Sequence, residues 1–139
     1  MTVLDTNVIS ELMKRAPADP VIGWVAAQPA TSLYTTSVTQ AEILHGIMLL
    51  PSGRKRNALE TAAAAMFRED FAGRILPFGS DAAYAYARIA TDRRRLGRPI
   101  SHFDAQIAGI ARSAGAAIAT RNVMDYHACG VRVINPWGA

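Results

Sequence analysis

The sequence predicts a three-layer α/β/α fold, in which helices cover both faces of a central parallel sheet of four to five strands. Short runs of β-branched and aliphatic residues alternate along the chain with longer stretches whose apolar residues recur at helical spacing. No hairpin dipeptide separates the short runs, so each strand should return through a helical crossover into a parallel sheet. Alanine-rich stretches exclude an all-β sandwich. No internal repeat or linker interrupts the pattern, which predicts one domain over residues 1–139.

The first half of the chain contains two strand–helix units. Residues 2–4 form a short β-prone run, and after a polar turn Val8, Ile9 and Leu12 recur at helical spacing. Residues 20–28 begin with a proline suited to a first helical turn and form a second helix. Residues 33–36 are β-branched and aromatic, and residues 37–50 follow as a helix.

The second half repeats the alternation with longer helices. Glycines or prolines bound most of its segments, as expected where helices and strands end. The predicted helices are 54–71, 80–96 and 101–113, and the predicted strands are 75–78, 116–119 and 131–134.

Composition narrows the function classes. The chain carries 15 basic and 11 acidic residues, a formal net charge of +4, which suits a phosphate-rich partner, although such a charge also aids solubility alone. Cys129 is the only cysteine, so disulfides and thiolate metal sites are excluded and a reducing cytoplasm is expected. The first residues carry no basic export signal, and no apolar stretch is long enough to span a membrane.

Acidic and amide side chains follow the predicted strands at separated points in the sequence. Asp5 ends the first strand, Asn122 and Asp125 lie just beyond a late strand, and Glu42 and Asp104 lie near helix starts. These positions share one edge of a parallel sheet, where ligands bind in such folds. Oxygen side chains that converge there suit Mg²⁺ or Mn²⁺.

Helix capping is the structural alternative for each acid. Residues 39–42 and 101–104 both match a capping box, and Asp5 can cap the first helix. The helical positions of Glu42 and Asp104 nevertheless turn both carboxylates toward the interior, where unpaired carboxylates are rare. Capping and metal binding therefore both remain as interpretations of these acids.

Four segments resemble the PIN-domain nucleases, in order and at the spacing of that family. They are LDTNVISEL at 4–12, TQAEILHG at 39–46, FDAQIA at 103–108 and TRNVMDY at 120–126. Among these nucleases the chain is most similar to the VapC and FitB toxins of bacterial toxin–antitoxin pairs.

The resemblance implies a ribonuclease that uses Mg²⁺ or Mn²⁺. Asp5, Glu42 and Asp104 match the three metal-site acids of the family. A fourth acidic position in some members is Asn122 here, and Asp125 is a candidate to supply the missing charge. The resemblance also implies a VapB- or FitA-like antitoxin, a homodimer, and a larger assembly on promoter DNA through the antitoxin.

Further residues are candidates to contact water, phosphate or RNA in the ribonuclease that the resemblance implies. Thr6 and Thr120 lie beside acids and are candidates to orient water or a phosphate, although a buried threonine often bonds its own backbone. A basic cluster is a candidate RNA contact, and its alternative is a solvated helix end that complements the helix dipole. That cluster is Arg93, Arg94, Arg95 and Arg98.

Two rival functions remain. One is an RNA-processing PIN-domain nuclease outside any toxin–antitoxin pair, and the other is a non-catalytic PIN-like module that binds RNA or protein. A complete acidic set argues against the second rival, because carboxylates repel a phosphate backbone.

Overall fold

The computed structural model describes residues 1–138 and contains a five-stranded sheet that is parallel throughout. The order across the sheet is β3-β2-β1-β4-β5, so the N-terminal strand lies at the centre. The strands are β1 (Thr2–Leu4), β2 (Leu33–Thr36), β3 (Ile75–Leu76), β4 (Ala117–Ala119) and β5 (Val133–Ile134). The predicted fold class and strand number are confirmed.

Within residues 1–138, six α-helices lie between β1 and β4 along the chain. They are α1 (Thr6–Leu12), α2 (Asp19–Ala26), α3 (Ser37–Met48), α4 (Arg54–Ala65), α5 (Ser80–Arg95) and α6 (His102–Ala114). A π-helical turn at Met66–Asp70 continues α4, and a 3₁₀ turn at Val123–Tyr126 follows β4. No helix within residues 1–138 has the length and apolar character that a membrane span requires.

Helices cover both faces of the sheet because strand side chains alternate between them. Val3 of β1 packs into a core formed largely with α5 and α6, whereas its neighbour Leu4 packs into a core formed largely with α1 to α4. Ile118 and Ala119 of β4 divide in the same way. The two cores give the three layers that the sequence predicts.

Three polar side chains cap the helices that lead into the site. Asp5 accepts the N–H of Val8 at 3.3 Å, and Ser101 accepts the N–H of Asp104 at 3.1 Å, as predicted. The capping box predicted at residues 39–42 is wrong. Helix α3 begins directly after β2, so its cap is Thr36, which accepts the N–H of Thr39 at 3.0 Å.

Some predicted boundaries are also wrong. The helix predicted over 54–71 is α-helical only to Ala65, after which its turns widen into the π-helical segment. The strand predicted over 75–78 pairs only at Ile75 and Leu76, because the next residue is Pro77, which has no N–H for the ladder.

Helices α5 and α6 pack closely through Gly109. A Cβ added at this glycine would lie 2.8 Å from the carbonyl oxygen of Ala82 and 3.0 Å from the backbone nitrogen of Tyr86. Both neighbours are backbone atoms, so relief requires the two helices to separate.

We therefore expect Gly109→Ala to lower the free energy of unfolding by about 1–3 kcal/mol, the usual effect of overpacking. Gly23→Ala is the matched control, because Gly23 is an exposed helical glycine with open space around its Cα. Alanine there should be neutral or stabilising by up to about 1 kcal/mol. Urea denaturation measures both, and equal stability of the two variants would contradict the packing account.

Candidate active site

Most of the predicted site residues line one cleft of about 480 Å³, which we call the acidic cleft. It lies where β1 and β4 end and where α1, α3 and α6 contribute side chains. The predicted residues that line it are Asp5, Thr6, Glu42, Asp104, Asn122 and Asp125. The fold thus brings together side chains separated by up to 120 positions in the sequence.

Asp5 lies deepest and is only 4% exposed. Burial raises the pKa of this carboxyl to about 7, because leaving water disfavours the charged form. Hydrogen bonds from the Thr120 side chain and the Val8 N–H oppose the shift, and the nearby charge of Asp104 adds to it. Asp5 therefore caps α1 and also serves as a site carboxylate that holds its proton near neutral pH.

Glu42 is half-buried and fixed by a hydroxyl. Thr6 donates to Glu42 Oε1 at 2.8 Å, and the Thr6 and Thr39 hydroxyl oxygens lie 3.1 Å apart. Burial raises the pKa of Glu42 above its usual value, and the negative charge of Asp104 raises it further, while the Thr6 hydrogen bond lowers it. The structure thus gives Thr6 a contact with an acid of the site.

Asp104 lies in the first turn of α6, where the Ser101 cap fixes its backbone. Burial again raises the pKa of the carboxyl above its usual value. The hydroxyl of Tyr126 donates to Asp104 Oδ1 at 3.2 Å. Burial, together with the charges of Asp5 and Asp104, raises the pKa of the Tyr126 phenol, so the phenol remains a neutral donor.

Glu11 provides a contrast within the same cleft. It accepts from Lys14 Nζ at 2.9 Å and from the Ala18 N–H at 3.0 Å, and these bonds lower its pKa. Within residues 1–138, by comparison, no lysine or arginine forms an ion pair with Asp5, Glu42 or Asp104. Three carboxylates therefore share a cleft without a direct ion pair among the described residues, although Lys14 and Arg121 also line it and the charge of Arg93 lowers the pKa of Asp104.

The donor set fits a hard divalent cation. Carboxylate and amide oxygens line the cleft, and neither histidine nor cysteine is among its lining residues. In the described part of the chain no three His, Cys, Asp or Glu side chains are already grouped around one ion position.

Of the predicted supporting residues, Thr120 lies outside the lining of the cleft, whereas Asn122 and Asp125 belong to it. Thr120 is fully buried, does not line the cleft, and accepts the N–H of Asn122 at 3.1 Å, as in the backbone-bonding alternative. Asn122 and Asp125 are exposed at the rim of the cleft.

Arg93 is not the exposed side chain that the predicted RNA contact requires. This arginine is 5% exposed, and its guanidinium donates to the backbone carbonyls of Arg98, Asp125 and His127. The Nε and Nη1 donors of Arg93 are therefore used inside the protein. Arg94, Arg95 and Arg98 are exposed, as the prediction requires.

The cleft also contains residues that the sequence did not single out. Arg121 places its guanidinium 5.2 Å from the Trp137 ring centroid, and its backbone N–H donates to Asn7 Oδ1 at 3.1 Å. Lys14 and Tyr126 complete this set. Arg121 and Tyr126 both lie in the TRNVMDY segment, but no pattern in a single sequence distinguishes a cleft-lining aromatic from a core aromatic.

A second, more apolar groove of about 420 Å³ adjoins the acidic cleft. The two share Thr6, Ser10, Lys14 and Glu42. Ile43, Ile47 and Leu59 extend the groove along α3 and α4. The acidic cleft is therefore continuous with an apolar surface.

Comparisons with known proteins agree with this geometry. The family model described as PIN domain matches residues 2–125. A VapC ribonuclease of Sinorhizobium fredii is 38% identical over 137 residues, covering 99% of this chain and 98% of that protein. Toxin FitB of Neisseria gonorrhoeae is 36% identical over 137 residues, with 99% of each chain covered.

The fold agrees as well. The crystal structure of FitAcB from Neisseria gonorrhoeae contains a chain that matches this one with a TM-score of 0.93 and 36% identity, over 100% of both chains. A family match over most of the chain and full-length relatives above 30% identity lead to one conclusion: the chain belongs to the PIN domain family.

Proposed function

We propose that this protein is a Mg²⁺- or Mn²⁺-dependent ribonuclease, that it acts as the toxin of a bacterial type II toxin–antitoxin pair, and that a cognate VapB- or FitA-like antitoxin neutralises it. The observation that carries the proposal is the acidic cleft, in which Asp5, Glu42 and Asp104 form no ion pair with a lysine or arginine among the described residues. Such a cluster is unfavourable unless a ligand supplies positive charge. The named activities of the full-length relatives support the same function.

Asp5, Glu42 and Asp104 would hold the metal. When bound, the ion lowers the pKa of a water molecule and stabilises charge on the phosphoryl oxygens. The protein's own contribution is positioning: Thr6 fixes Glu42, the cap of α6 fixes the backbone of Asp104, and burial keeps Asp5 away from bulk water. The reaction is hydrolysis of an RNA phosphodiester.

Asn122 and Asp125 both lie at the rim, where a fourth oxygen donor is expected. An amide is a weaker ligand than a carboxylate, so Asn122 suits contact through water and Asp125 supplies the additional negative charge. Both residues are exposed and therefore accessible to substrate.

Positive charge near the cleft provides the RNA contacts. Arg94 and Arg95 lie in the last turn of α5 and Arg98 follows the helix, near Arg93, which bonds the turn that lines the cleft. Arg121 and Lys14 line the cleft itself. These side chains reduce the repulsion between the acids and an approaching phosphate backbone.

The antitoxin would bind along the apolar groove and reach the acidic cleft. An arginine of the antitoxin can pair with the carboxylates that otherwise hold the cation, so inhibitor and metal compete for them. The FitAcB structure supports this partner class, because it comes from the species whose toxin FitB is 36% identical to this chain. A homodimer and a larger assembly on promoter DNA through the antitoxin belong to the same proposal.

We expect Asp5→Asn and Asp104→Asn each to lower RNA cleavage by more than about 100-fold while the fold is retained. Each change removes a charge and preserves shape, and asparagine caps a helix as well as aspartate does. Cleavage of total RNA with Mn²⁺ and circular dichroism provide the two measurements. Asp81→Asn, in the exposed first turn of α5, is the control and should cleave normally. Full activity in both site variants would refute the assignment.

The raised pKa of Asp5 predicts how stability depends on pH. Its folded-state pKa of about 7 exceeds its usual value of 3.8, so the folded protein binds more protons than the unfolded chain between these values. Stability of the metal-free protein should therefore fall as pH rises from 4 to 7 and level off above that.

Asp5→Asn should remove this contribution, which amounts to at most about 4 kcal/mol. Metal-free melts at pH 4 and pH 8 compare wild type with the variant, and the variant should gain melting temperature relative to wild type only at pH 8. Mn²⁺ should raise the melting temperature of the wild type and leave Asp5→Asn nearly unchanged. An identical pH response in the two proteins would show that Asp5 is not a buried charge.

The toxin hypothesis predicts a growth phenotype. Expression of this chain alone in bacteria should slow growth, and co-expression with the adjacent gene should restore it. The purified complex should cleave RNA only after the antitoxin is removed. Asp104→Asn serves as the control for general expression burden and should be harmless. Normal growth at high expression, with a folded and metal-binding protein, would favour the RNA-processing nuclease instead.

A further inference from the structure

Tyr126 connects the acidic cleft to the hydrophobic core. Its side chain is 2% exposed and belongs to the core that contains Ile107 and Ile118. Its hydroxyl nevertheless reaches the cleft and donates to Asp104 Oδ1 at 3.2 Å. A phenylalanine would fill the same space without this bond, so the hydroxyl itself requires an explanation.

Arg93 holds the backbone on both sides of Tyr126. Its Nη1 donates to the carbonyl oxygen of Asp125 at 2.7 Å and to that of His127 at 3.0 Å. Its Nε donates to the carbonyl oxygen of Arg98 at 2.7 Å, which joins the end of α5 to the same turn. The guanidinium therefore fixes the backbone residues immediately before and after Tyr126.

Burial of the Arg93 guanidinium carries a cost in free energy. A buried guanidinium is unfavourable unless hydrogen bonds replace its hydration, and within residues 1–138 no carboxylate pairs with Arg93. Backbone carbonyls supply all the oxygen acceptors that the structure records for it. A core built for stability alone is served as well by an apolar side chain at this position.

We propose that Tyr126 is a positioning residue for Asp104 and that Arg93 acts on Asp104 through Tyr126; the proposal rests on the metal-dependent nuclease function above. The hydroxyl occupies Oδ1 and limits the orientations of the carboxylate, so the other oxygen is the one left for the cation that the proposed function requires. Partners behind a ligating carboxylate are known to tune metal affinity in this way.

Tyr126→Phe tests the proposal, because it removes only the hydroxyl. We expect the variant to bind Mn²⁺ about 10-fold more weakly by calorimetry and to lose about 10- to 100-fold in kcat, with KM for RNA unchanged. Tyr84→Phe is the matched control, since Tyr84 is 80% exposed on α5 and does not line the cleft, and it should match wild type in every measurement.

Arg93→Lys provides a second test of the same connection. Lysine keeps the charge but lacks the planar fork of guanidinium donors, so Tyr126 is held less firmly and Mn²⁺ binding should weaken in the same direction. Arg88→Lys, at an exposed position on the same helix, is its control. Circular dichroism melts establish which variants fold.

The outcomes separate the two proposals. Wild-type protein that binds Mn²⁺ without cleaving RNA refutes the nuclease function, while the Mn²⁺ affinity of Tyr126→Phe still decides the positioning role. Wild-type Mn²⁺ affinity and kcat in a folded Tyr126→Phe would overturn the positioning role. Loss of the fold in both Tyr126→Phe and Arg93→Lys would also overturn it, by showing that the pair is structural. A wild-type protein that binds no Mn²⁺ overturns both.

Discussion

The structure depends on a concentration of negative charge at one edge of the sheet that the protein does not neutralise. Asp5, Glu42 and Asp104 line one cleft, and burial is the largest cause of the raised pKa of each. The protein neutralises Glu11 in the same cleft with Lys14, so pairing is possible at this location. Leaving the three acids without such a partner is a cost in stability, and the cation of the proposed function would offset that cost.

The fold brings these acids together because the connections from the strands to the following helices are short. Helix α1 begins one residue after β1, and α3 begins directly after β2, so the first turns of both helices lie at the carboxyl edge of the sheet. Asp5 shows how closely capping and function are combined, because one carboxylate accepts the Val8 N–H and also lines the cleft. For this residue the capping interpretation is confirmed, and the same carboxylate lies where metal binding is proposed.

Sequence was sufficient for the features that depend on periodicity and strand-end position. The parallel sheet, the helices and the convergence of Asp5, Glu42 and Asp104 follow from where apolar runs stop, because parallel strands end at a common edge. Features that depend on tertiary contacts were not predictable. Arg93 belongs to a run of three arginines that is typical of a solvated helix end. Its burial depends on the packing of α5 against the Val123–Tyr126 turn, which the sequence does not show. Patterns of hydrophobicity likewise do not indicate that the hydroxyl of Tyr126 contacts Asp104.

Proton release on metal binding tests the central claim most directly, since it reports both the ion and the carboxyl group that binds it. Calorimetric titration of Mn²⁺ into the protein in buffers of different ionisation enthalpy gives the number of protons released. With the pKa of Asp5 at about 7, the account predicts release of roughly half a proton or more at pH 7, falling toward zero at pH 9. Absence of Mn²⁺ binding, or binding with no proton release at pH 7, would contradict it.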